Sequence, residues 1–464
     1  MAAYRPSKAH AALGPAFYDE VAPARFPLHV ERFWNARWAE RVGLAGVDRE
    51  KHLARLVPLD GSLEKPLALR YHGHQFDNYN PALGDGRGFL HAQLLDDRGR
   101  LLDLGTKGSG QTPWSRGGDG RLTLKGGVRE VLATEMLEAL GVYTSKTFSL
   151  FETGEELFRG DEPSPTRSSI LVRLSHSHVR IGTFQRLAYE NDKTSLGRLV
   201  EHCLAHYVNE PTEPAPPVAL LAHVVEESAR LAAQWMVAGF VHGVLNSDNM
   251  NVTGESFDYG PWRFLPRYDP AFTAAYFDHG GLYCYARQPQ AVMNNLLRLA
   301  RALALLEPMA ALQPVLERFE ARFSAHVAKA WIGRLGLRSR DPDQDLALVE
   351  VCFDFLDRTR MGLDELCFDF FGGPASTARA FDGPRGRIYR EAAPLTDALD
   401  AYEPVPDHLA DPYFQRKEPC TMRIDEVEAI WLPIAERDDW TRFEAKIAEV
   451  RAVGQVYAGQ SGCG

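Results

Sequence analysis

The sequence has few cysteines, no long apolar run and no excess of positive charge. Its six cysteines are scattered without a CxxC pair, so neither a zinc site nor a disulfide framework is indicated. No apolar run approaches the roughly 20 residues that span a bilayer, and residues 1–10 contain no hydrophobic region of a signal peptide. The net charge of −10 and the pI of about 5.9 disfavour a surface for nucleic acid or anionic lipid. We therefore expect a cytoplasmic protein that binds neither nucleic acid nor membrane.

The length and composition predict a soluble protein with two lobes and a cleft between them. At 464 residues the chain exceeds the size at which one hydrophobic core stops growing, and its 45% hydrophobic and 25% charged residues are ordinary for globular proteins. Short strand-like runs broken by glycine fill residues 66–186, whereas helical periodicity dominates residues 187–464. We predict an α+β fold with a small α/β lobe at 66–186 and a mainly helical lobe with a C-terminal extension at 187–464. Residues 1–65 are predicted to form an irregular extension that packs on the main body.

Helical periodicity places one helix in the smaller lobe and several in the larger one. The first is predicted from near Gly127 to Gly141, because apolar residues recur there at helical spacing and glycine commonly follows a helix end. Further helices are predicted at 218–238 and 290–306, and the proline-rich stretch 210–217 is predicted to be a surface loop.

Two motifs in the larger lobe have a spacing typical of protein kinases. His242 and Asn249 keep the eight-residue frame of a kinase catalytic loop, and Asp258, followed by Tyr and Gly, stands where a kinase has Asp-Phe-Gly. A small hairpin around Gly254 would bring Asn249 and Asp258 to one cation, and Mg²⁺ suits two such oxygen ligands. Taken alone, each motif is equally explained as a polar turn. Their order and spacing together favour a metal site.

The chain lacks the carboxylate that a kinase catalytic loop uses as its base. Val244 stands at that position, and valine cannot accept a proton. The nearest carboxylate is Asp248, directly before Asn249. The sequence therefore predicts a protein-kinase-like bilobal fold in which a different carboxylate takes the proton.

The smaller lobe contains groups suited to phosphate. A glycine-rich turn includes Gly84, Gly86 and the cation Arg87, and Lys107 ends a predicted strand. Glu130 follows 23 residues after Lys107 on the predicted helix, as the glutamate that orients an active kinase lysine does. Glu135 is the competitor for this role.

Two arginines lie in an apolar-rich stretch that precedes the larger lobe. Arg173 and Arg180 would be costly to bury without an anion, which is either a phosphate or an Asp or Glu side chain.

Two pairs of histidines alternate in the sequence, His72 with His74 and His176 with His178. Each pair could lie on one face of a strand, but no third metal ligand is nearby in sequence, so we interpret all four as structural.

Together these motifs resemble the selenoprotein O family (SelO, also called YdiU), pseudokinase-like enzymes that transfer AMP to Ser, Thr or Tyr of proteins. The resemblance covers roughly residues 66–305. Its motifs in chain order are Tyr71-His-Gly-His-Gln-Phe, Leu83-Gly-Asp-Gly-Arg, Lys107-Gly-Ser-Gly-Gln-Thr-Pro-Trp-Ser-Arg-Gly-Gly-Asp-Gly-Arg121, Val128-Arg-Glu130, Arg173 to Phe184, His242 to Asn249, and Phe257-Asp-Tyr-Gly-Pro261.

The resemblance implies that ATP lies in the cleft flipped relative to a kinase, so that the α-phosphate faces the acceptor and pyrophosphate leaves. It implies Asp248 as proton acceptor and Asn249 and Asp258 as ligands of Mg²⁺, with Mn²⁺ as the alternative ion. The partners it implies are ATP and proteins with an acceptor hydroxyl. The nucleotide contacts it implies are Gly84, Gly86, Arg87, Lys107, Asp119, Gly120, Arg173 and Arg180.

Two other functions remain open from the sequence. A small-molecule phosphotransferase of the aminoglycoside-kinase type is one, but its loop needs a carboxylate where Val244 stands. A non-catalytic nucleotide-binding scaffold is the other. In some members of the family a cysteine near the position of Ala274 acts with a C-terminal cysteine in redox control. Ala274 cannot form such a pair here, although Cys463 lies in the tail and Cys284 is close by in sequence. We expect a monomer.

Overall fold

The structure is a computed structural model that describes residues 2–160, 162–405 and 409–458. Cys463, the tail cysteine considered for redox control, lies outside these residues. No helix in the described ranges combines the length and apolar character needed to cross a bilayer.

A nine-stranded antiparallel sheet forms the smaller lobe, and two short two-stranded sheets lie outside it. The strands are β1 (Pro6–Ser7), β2 (Tyr18–Glu20), β3 (Val30–Trp34), β4 (Leu67–Leu69), β5 (Gly73–Gln75), β6 (Asn78–Asn80), β7 (Leu90–Leu95), β8 (Leu101–Lys107), β9 (Leu122–Thr123), β10 (Lys146–Leu157), β11 (Thr166–Ser175), β12 (Phe240–His242) and β13 (Trp262–Phe264). The sheet order is β2-β4-β7-β8-β11-β10-β3, with β1 on β7 and β9 on β11, while β5 pairs with β6 and β12 with β13.

Most of the helices lie in the larger lobe, and the first two lie before it in the chain. They are α1 (Ala36–Arg41), α2 (Leu124–Ala139), α3 (Ile181–Tyr189), α4 (Lys193–Tyr207), α5 (Pro216–Val237), α6 (Gln288–Leu303), α7 (Met309–Leu316), α8 (Phe319–Arg334), α9 (Pro342–Thr359), α10 (Leu363–Asp369), α11 (Thr377–Asp382), α12 (Gly386–Arg390), α13 (Ala393–Leu399), α14 (Ile424–Arg437) and α15 (Thr441–Ala458). The helices predicted at 218–238 and 290–306 are confirmed as α5 and α6.

Helix α2 lies against the sheet and begins three residues earlier than predicted. The Thr123 side chain accepts a hydrogen bond from the Gly126 amide and caps the helix, a signal in the sequence that the apolar spacing alone did not locate. The helix ends before Gly141, whose φ of +77° is the left-handed conformation expected after a helix. Most of α2 is buried, so it is a central element of the smaller lobe.

The N-terminal stretch is more regular than the sequence indicated. Strand β1 pairs with β7, β2 pairs with β4 at one sheet edge, and β3 pairs with β10 at the other. These strands are only two to five residues long and half exposed, so they carry too little alternation to be recognised locally. The sheet therefore recruits its edges from a segment that was predicted to be irregular.

One hydrophobic core runs from the sheet lobe into the helices. It includes Leu132 and Met136 of α2, Leu221 of α5 and Leu296 of α6, and it continues to Val450 of α15. The predicted α+β class is confirmed: a sheet with one long helix precedes a helical lobe, and a cleft opens where they meet.

Candidate active site

The cleft between the lobes has a volume of about 690 Å³. Its walls are the glycine-rich turn after β6, the end of β8, the turn before β9, the segment that joins β11 to α3, and the long loop between β12 and β13. All the predicted nucleotide, metal and proton-acceptor residues line it: Gly84, Gly86, Arg87, Lys107, Asp119, Gly120, Arg173, Arg180, Asp248, Asn249 and Asp258.

Lys107, at the end of β8, is held between two carboxylates. Its Nζ donates to Glu130 Oε1 of α2 and to Asp258 Oδ1, the latter at 2.7 Å. Glu130 is buried behind the lysine, whereas its competitor Glu135 instead accepts two hydrogen bonds from Arg451, at 2.7 and 2.9 Å. The lysine-to-helix-glutamate pair of a protein kinase is therefore present, and Glu130 is the residue that forms it.

Asp258 has an unusual backbone and a strongly acidic carboxyl group. Its φ of +62° lies in the left-handed region, where strain is often found at functional sites. Burial by itself raises the pKa of Asp258, but Lys107, Arg173 and Arg180 outweigh burial and hold the pKa well below its usual range. Asp258 is therefore an anion that faces three cations.

The two predicted arginines differ in how far the protein satisfies them. Arg180 donates to the Asp248 carbonyl oxygen at 2.8 Å and to Asp85 Oδ1 at 3.1 Å, and its guanidinium lies over the Tyr71 ring. Arg173 is buried, lies 3.7 Å from Asp258, and has no hydrogen-bond partner at Nε or Nη1 among the described residues. Arg180 thus has the carboxylate partner that was one alternative and keeps an open donor at Nε, while Arg173 keeps open donors at both Nε and Nη1 for an anion.

Asp248 presents a buried carboxylate to the cleft. It lies on the 3₁₀ turn Ser247–Asn249, and its Oδ1 has no hydrogen-bond partner in the described part of the chain. Burial raises the pKa of Asp248 to about 6, against the opposing effect of Arg180. A Cβ on Gly73 would lie 2.8 Å from this Oδ1, so a larger residue there would crowd the carboxylate.

Hydrogen bonds from the β5–β6 hairpin hold the loop that contains Asp248. Ser247 Oγ accepts from the His74 amide at 2.8 Å, and Asn246 Oδ1 accepts from the Phe76 amide at 3.2 Å and the Tyr283 hydroxyl at 2.8 Å. The backbone amides of the Tyr-His-Gly-His-Gln-Phe motif therefore help to position the loop that contains Asp248.

The hairpin predicted around Gly254 is wrong. Asn251 forms its bridge with Arg180, and Ser256 forms its bridge with Thr144, so the two arms pair with the other lobe. Gly254 still makes the turn, with a φ of +61°. The local sequence suggested pairing of the nearest segments, whereas longer-range partners use the same backbone groups.

Asn249 and Asp258 nevertheless line the same cleft and fit a magnesium ion. Asn249 Nδ2 donates to the Val244 carbonyl at 2.9 Å, which fixes the amide and leaves its oxygen for another partner. Within the described ranges no three His, Cys, Asp or Glu residues cluster as a metal site. Mg²⁺ does not need such a cluster, because it often takes one or two protein ligands and completes its shell with water and phosphate.

The glycine-rich turn packs against Trp114, which the sequence-based reasoning did not single out. A Cβ on Gly84 would lie 2.4 Å from the indole, and one on Gly86 would lie 2.9 Å from the Trp114 carbonyl. The Trp114 indole also donates to Asp19 at 3.0 Å. These glycines are thus required by close packing as well as by any ligand. Trp114 belongs to the long motif that follows Lys107, which was the available signal.

The remaining predicted contacts and one missed residue complete the cleft. Gly120 has a φ of +70°, and a Cβ there would lie 2.3 Å from the Gly110 backbone. Asp119 forms an ion pair with Arg159 at 2.8 Å. Asp85, not singled out from the sequence, binds Arg180 and also accepts from the Leu69 amide at 3.1 Å. Its place between Gly84 and Gly86 was the signal for it.

Three of the four alternating histidines bond through Nδ1 to a hydroxyl or amide side chain. The pairs are His72 Nδ1 with the Tyr79 hydroxyl at 2.7 Å, His74 Nδ1 with Gln185 Nε2 at 2.7 Å, and His176 Nδ1 with the Tyr143 hydroxyl at 2.6 Å. The fourth, His178, has its Nδ1 3.1 Å from Asp103 Oδ2 and lines the cleft.

Comparison with known proteins identifies a family. A family model described as "Protein adenylyltransferase SelO" matches residues 2–373. "Protein nucleotidyltransferase YdiU" of Gloeobacter violaceus is 43% identical, covering 96% of this chain and 94% of that protein. The proteins of the same name from Synechocystis sp. and Vibrio cholerae are 41% and 37% identical, covering 95% and 80% of this chain and 96% and 76% of theirs.

Among solved structures, ROP2 from Toxoplasma gondii is described as a virulence factor with a protein-kinase fold and no enzymatic activity. It is 11% identical, covers 80% of this chain and 94% of its own, and has a TM-score of 0.26, too low to support an argument about this chain.

Proposed function

Because the chain belongs to the SelO family of protein adenylyltransferases, and is therefore a protein nucleotidyltransferase, we propose that it moves AMP from ATP to Ser, Thr or Tyr hydroxyls of proteins. Pyrophosphate is the second product. The reaction needs a site that grips a polyphosphate and a separate group that takes the acceptor's proton. The cleft offers both kinds of group.

The positions of the cations favour a triphosphate whose β- and γ-phosphates lie against the smaller lobe. Lys107 and Arg173 lie on the neighbouring strands β8 and β11, and Arg180 directly precedes α3. The open donors of Arg173 suit a phosphate oxygen, and Lys107 adds a point charge. In the flipped orientation these three cations hold the leaving pyrophosphate, and the α-phosphorus lies towards the helical lobe.

The observation that carries the proposal is the buried carboxylate of Asp248, whose Oδ1 has no partner among the described residues. Val244, at the position of a kinase base, offers no alternative. Asp248 accepts the proton of the acceptor hydroxyl as that oxygen attacks the α-phosphorus. The bond from the α-phosphorus to the bridging oxygen breaks, and pyrophosphate leaves with the electron pair.

Asn249 and Asp258 would hold Mg²⁺, with Mn²⁺ as the alternative. A bound cation supplies positive charge that offsets the charge of the phosphates. The fixed amide of Asn249 and the low pKa of Asp258 keep both oxygens available as ligands. Lys107, which contacts Asp258, keeps this carboxylate oriented towards the cleft.

Replacing the proposed proton acceptor tests this function. We expect Asp248→Asn to lower the rate of AMP transfer by roughly 10²- to 10⁴-fold, the usual contribution of a general base. The affinity for ATP, measured by isothermal titration calorimetry, should stay within a few-fold, since the cations are unchanged. Asp97→Asn, the same change at a carboxylate outside the cleft that pairs with Arg41, is the control and should keep full activity. Full activity of Asp248→Asn would refute the proposed role.

A further inference from the structure

His178 is a buried cleft residue with an unused nitrogen. The side chain lines the cleft and is 4% exposed, yet Nε2 has no hydrogen-bond partner among the residues that the structure describes. A buried polar atom without a partner is costly, and such an atom in a binding cleft indicates a ligand. The other three alternating histidines have no buried ring nitrogen that lacks a partner in the described residues, so His178 differs from them.

The second nitrogen of the ring is fixed by a buried carboxylate. Asp103 Oδ2 accepts from the His178 amide at 2.8 Å and lies 3.1 Å from His178 Nδ1. Its Oδ1 accepts from Gln93 Nε2 at 2.7 Å. A carboxylate at Nδ1 holds the proton on that nitrogen and stabilises a positive charge on the imidazole. The pair is therefore built to present Nε2 to the cleft in one orientation.

Strand β8 places this nitrogen in the same row as the proposed phosphate ligands. Asp103, Gly105 and Lys107 alternate along the strand and so share one face. A Cβ on Gly105 would lie 2.5 Å from His178 Nε2, so the ring occupies the space that glycine leaves. Gly105 is also the cross-strand partner of Arg173. Nε2 therefore lies at Gly105, which is paired with Arg173 and is two residues from Lys107 on the same face of β8.

We propose that His178, oriented by Asp103, is a further nucleotide-binding residue whose Nε2–H donates a hydrogen bond to a phosphate oxygen of bound ATP and of the leaving pyrophosphate. This inference rests on the proposed binding of ATP in the cleft. The arginines of the cleft are always charged, whereas His178 becomes a charged donor only when its ring is protonated. The donor exists only when the imidazole carries both protons, so phosphate binding and proton uptake occur together.

The charges around the ring explain this coupling. The titratable and charged groups that face it are Asp103, Arg173, Arg180, His10 and Asp85. Burial and the two arginines lower the pKa of His178, and Asp103 opposes them. The free cleft therefore favours the neutral ring. A bound triphosphate offsets the arginines, and the imidazolium then forms between Asp103 and the phosphate.

Calorimetry on the full chain tests the inference with ATP, pyrophosphate and adenosine as separate probes. Titrations in buffers of different ionisation enthalpy give the protons taken up on binding. We expect His178→Gln to bind ATP and pyrophosphate about tenfold more weakly, the usual effect of a charge-assisted hydrogen bond, and adenosine unchanged. We also expect the variant to take up fewer protons than the wild type with ATP. The ligand's own titration is common to both proteins, so it cancels in this difference.

Two further variants complete the experiment. His176→Gln, the same change at a partly buried histidine that does not line the cleft, is the control and should behave like the wild type. Gly105→Ala should displace the imidazole and reproduce the loss of affinity and proton uptake, which covers the case that His178→Gln fails to fold.

Three results would overturn the inference. The first is that His178→Gln or Gly105→Ala binds ATP with wild-type affinity and takes up as many protons as the wild type. The second is that a variant loses as much affinity for adenosine as for ATP, which would place the contact on the nucleoside. Both would leave the proposed function standing. Failure of the wild type to bind ATP at all would reject the proposed function as well.

Discussion

At the scale of single residues, two carboxyl groups of the cleft have pKa values that their surroundings shift in opposite directions. Cations hold the pKa of Asp258 well below its usual range, whereas burial raises the pKa of Asp248 to about 6. Two carboxyl groups whose environments push their pKa values apart commonly serve as ligand or stabiliser and as proton carrier. The sequence identified both residues from motif spacing, but it gave no access to the charges that distinguish them.

Glu255 carries a prediction about pH and stability. Burial raises the pKa of Glu255 to about 7, against the opposing effects of Lys146, the His176 amide and nearby arginines. The folded protein therefore holds this proton more tightly than the unfolded chain, so the stability that the proton contributes is lost as pH rises from about 4.5 to about 7.

We expect Glu255→Gln to be more stable than the wild type at pH 8, by roughly 2–3 kcal/mol, and about equal to it at pH 4.5. The glutamine oxygen can still accept from the His176 amide, which Glu255 does at 2.9 Å. Urea denaturation at the two pH values measures the difference. Glu350→Gln, at an exposed position, is the control and should show little change. A variant that is less stable at pH 8 would contradict the prediction.

At the scale of elements, α2 shows what local sequence can and cannot predict. Its apolar spacing and Gly141 located the helix, and Glu130 was correctly placed opposite Lys107. The sequence alone could not decide between Glu130 and Glu135, because the decision depends on which residue binds Glu135. That partner is Arg451 on α15, far away in the chain. The failed hairpin at Gly254 has the same cause, since its arms pair with distant segments.

The Glu135–Arg451 contact ties the C-terminal helix to α2 and gives a prediction. Arg451→Met removes the two-pronged partner of a buried carboxylate and leaves the half-exposed Arg37, 3.3 Å away. Breaking a buried ion pair costs several kcal/mol, and partial exposure of Arg451 reduces this, so we expect a loss of about 2–3 kcal/mol in the free energy of unfolding.

Chemical denaturation measures this loss. Arg437→Met, which changes an exposed arginine on α14, should cost less than about 1 kcal/mol. Replacing Glu135 by Gln in the Arg451→Met background should recover part of the stability, because the uncompensated charge is then gone. An Arg451→Met protein as stable as the wild type would show that the contact contributes nothing.

At the scale of the whole molecule, the sequence predicted the two-lobed α+β plan and the residues that meet in the cleft. It did not predict that the first 34 residues supply three strands of the sheet, or that α15 packs on α2. Both are contacts between the chain's ends and its middle. Such contacts depend on shape and buried area across the fold, which a local pattern does not encode.

The fate of the α-phosphate of ATP tests the central claim most directly. The protein is incubated with acceptor proteins, Mg²⁺ and ATP labelled at either the α- or the γ-phosphate, and label on protein is measured. We predict protein-bound label from the α position only, labelled pyrophosphate in solution from the γ position, and neither with Asp248→Asn. Protein-bound label from the γ position and none from the α position would contradict the account.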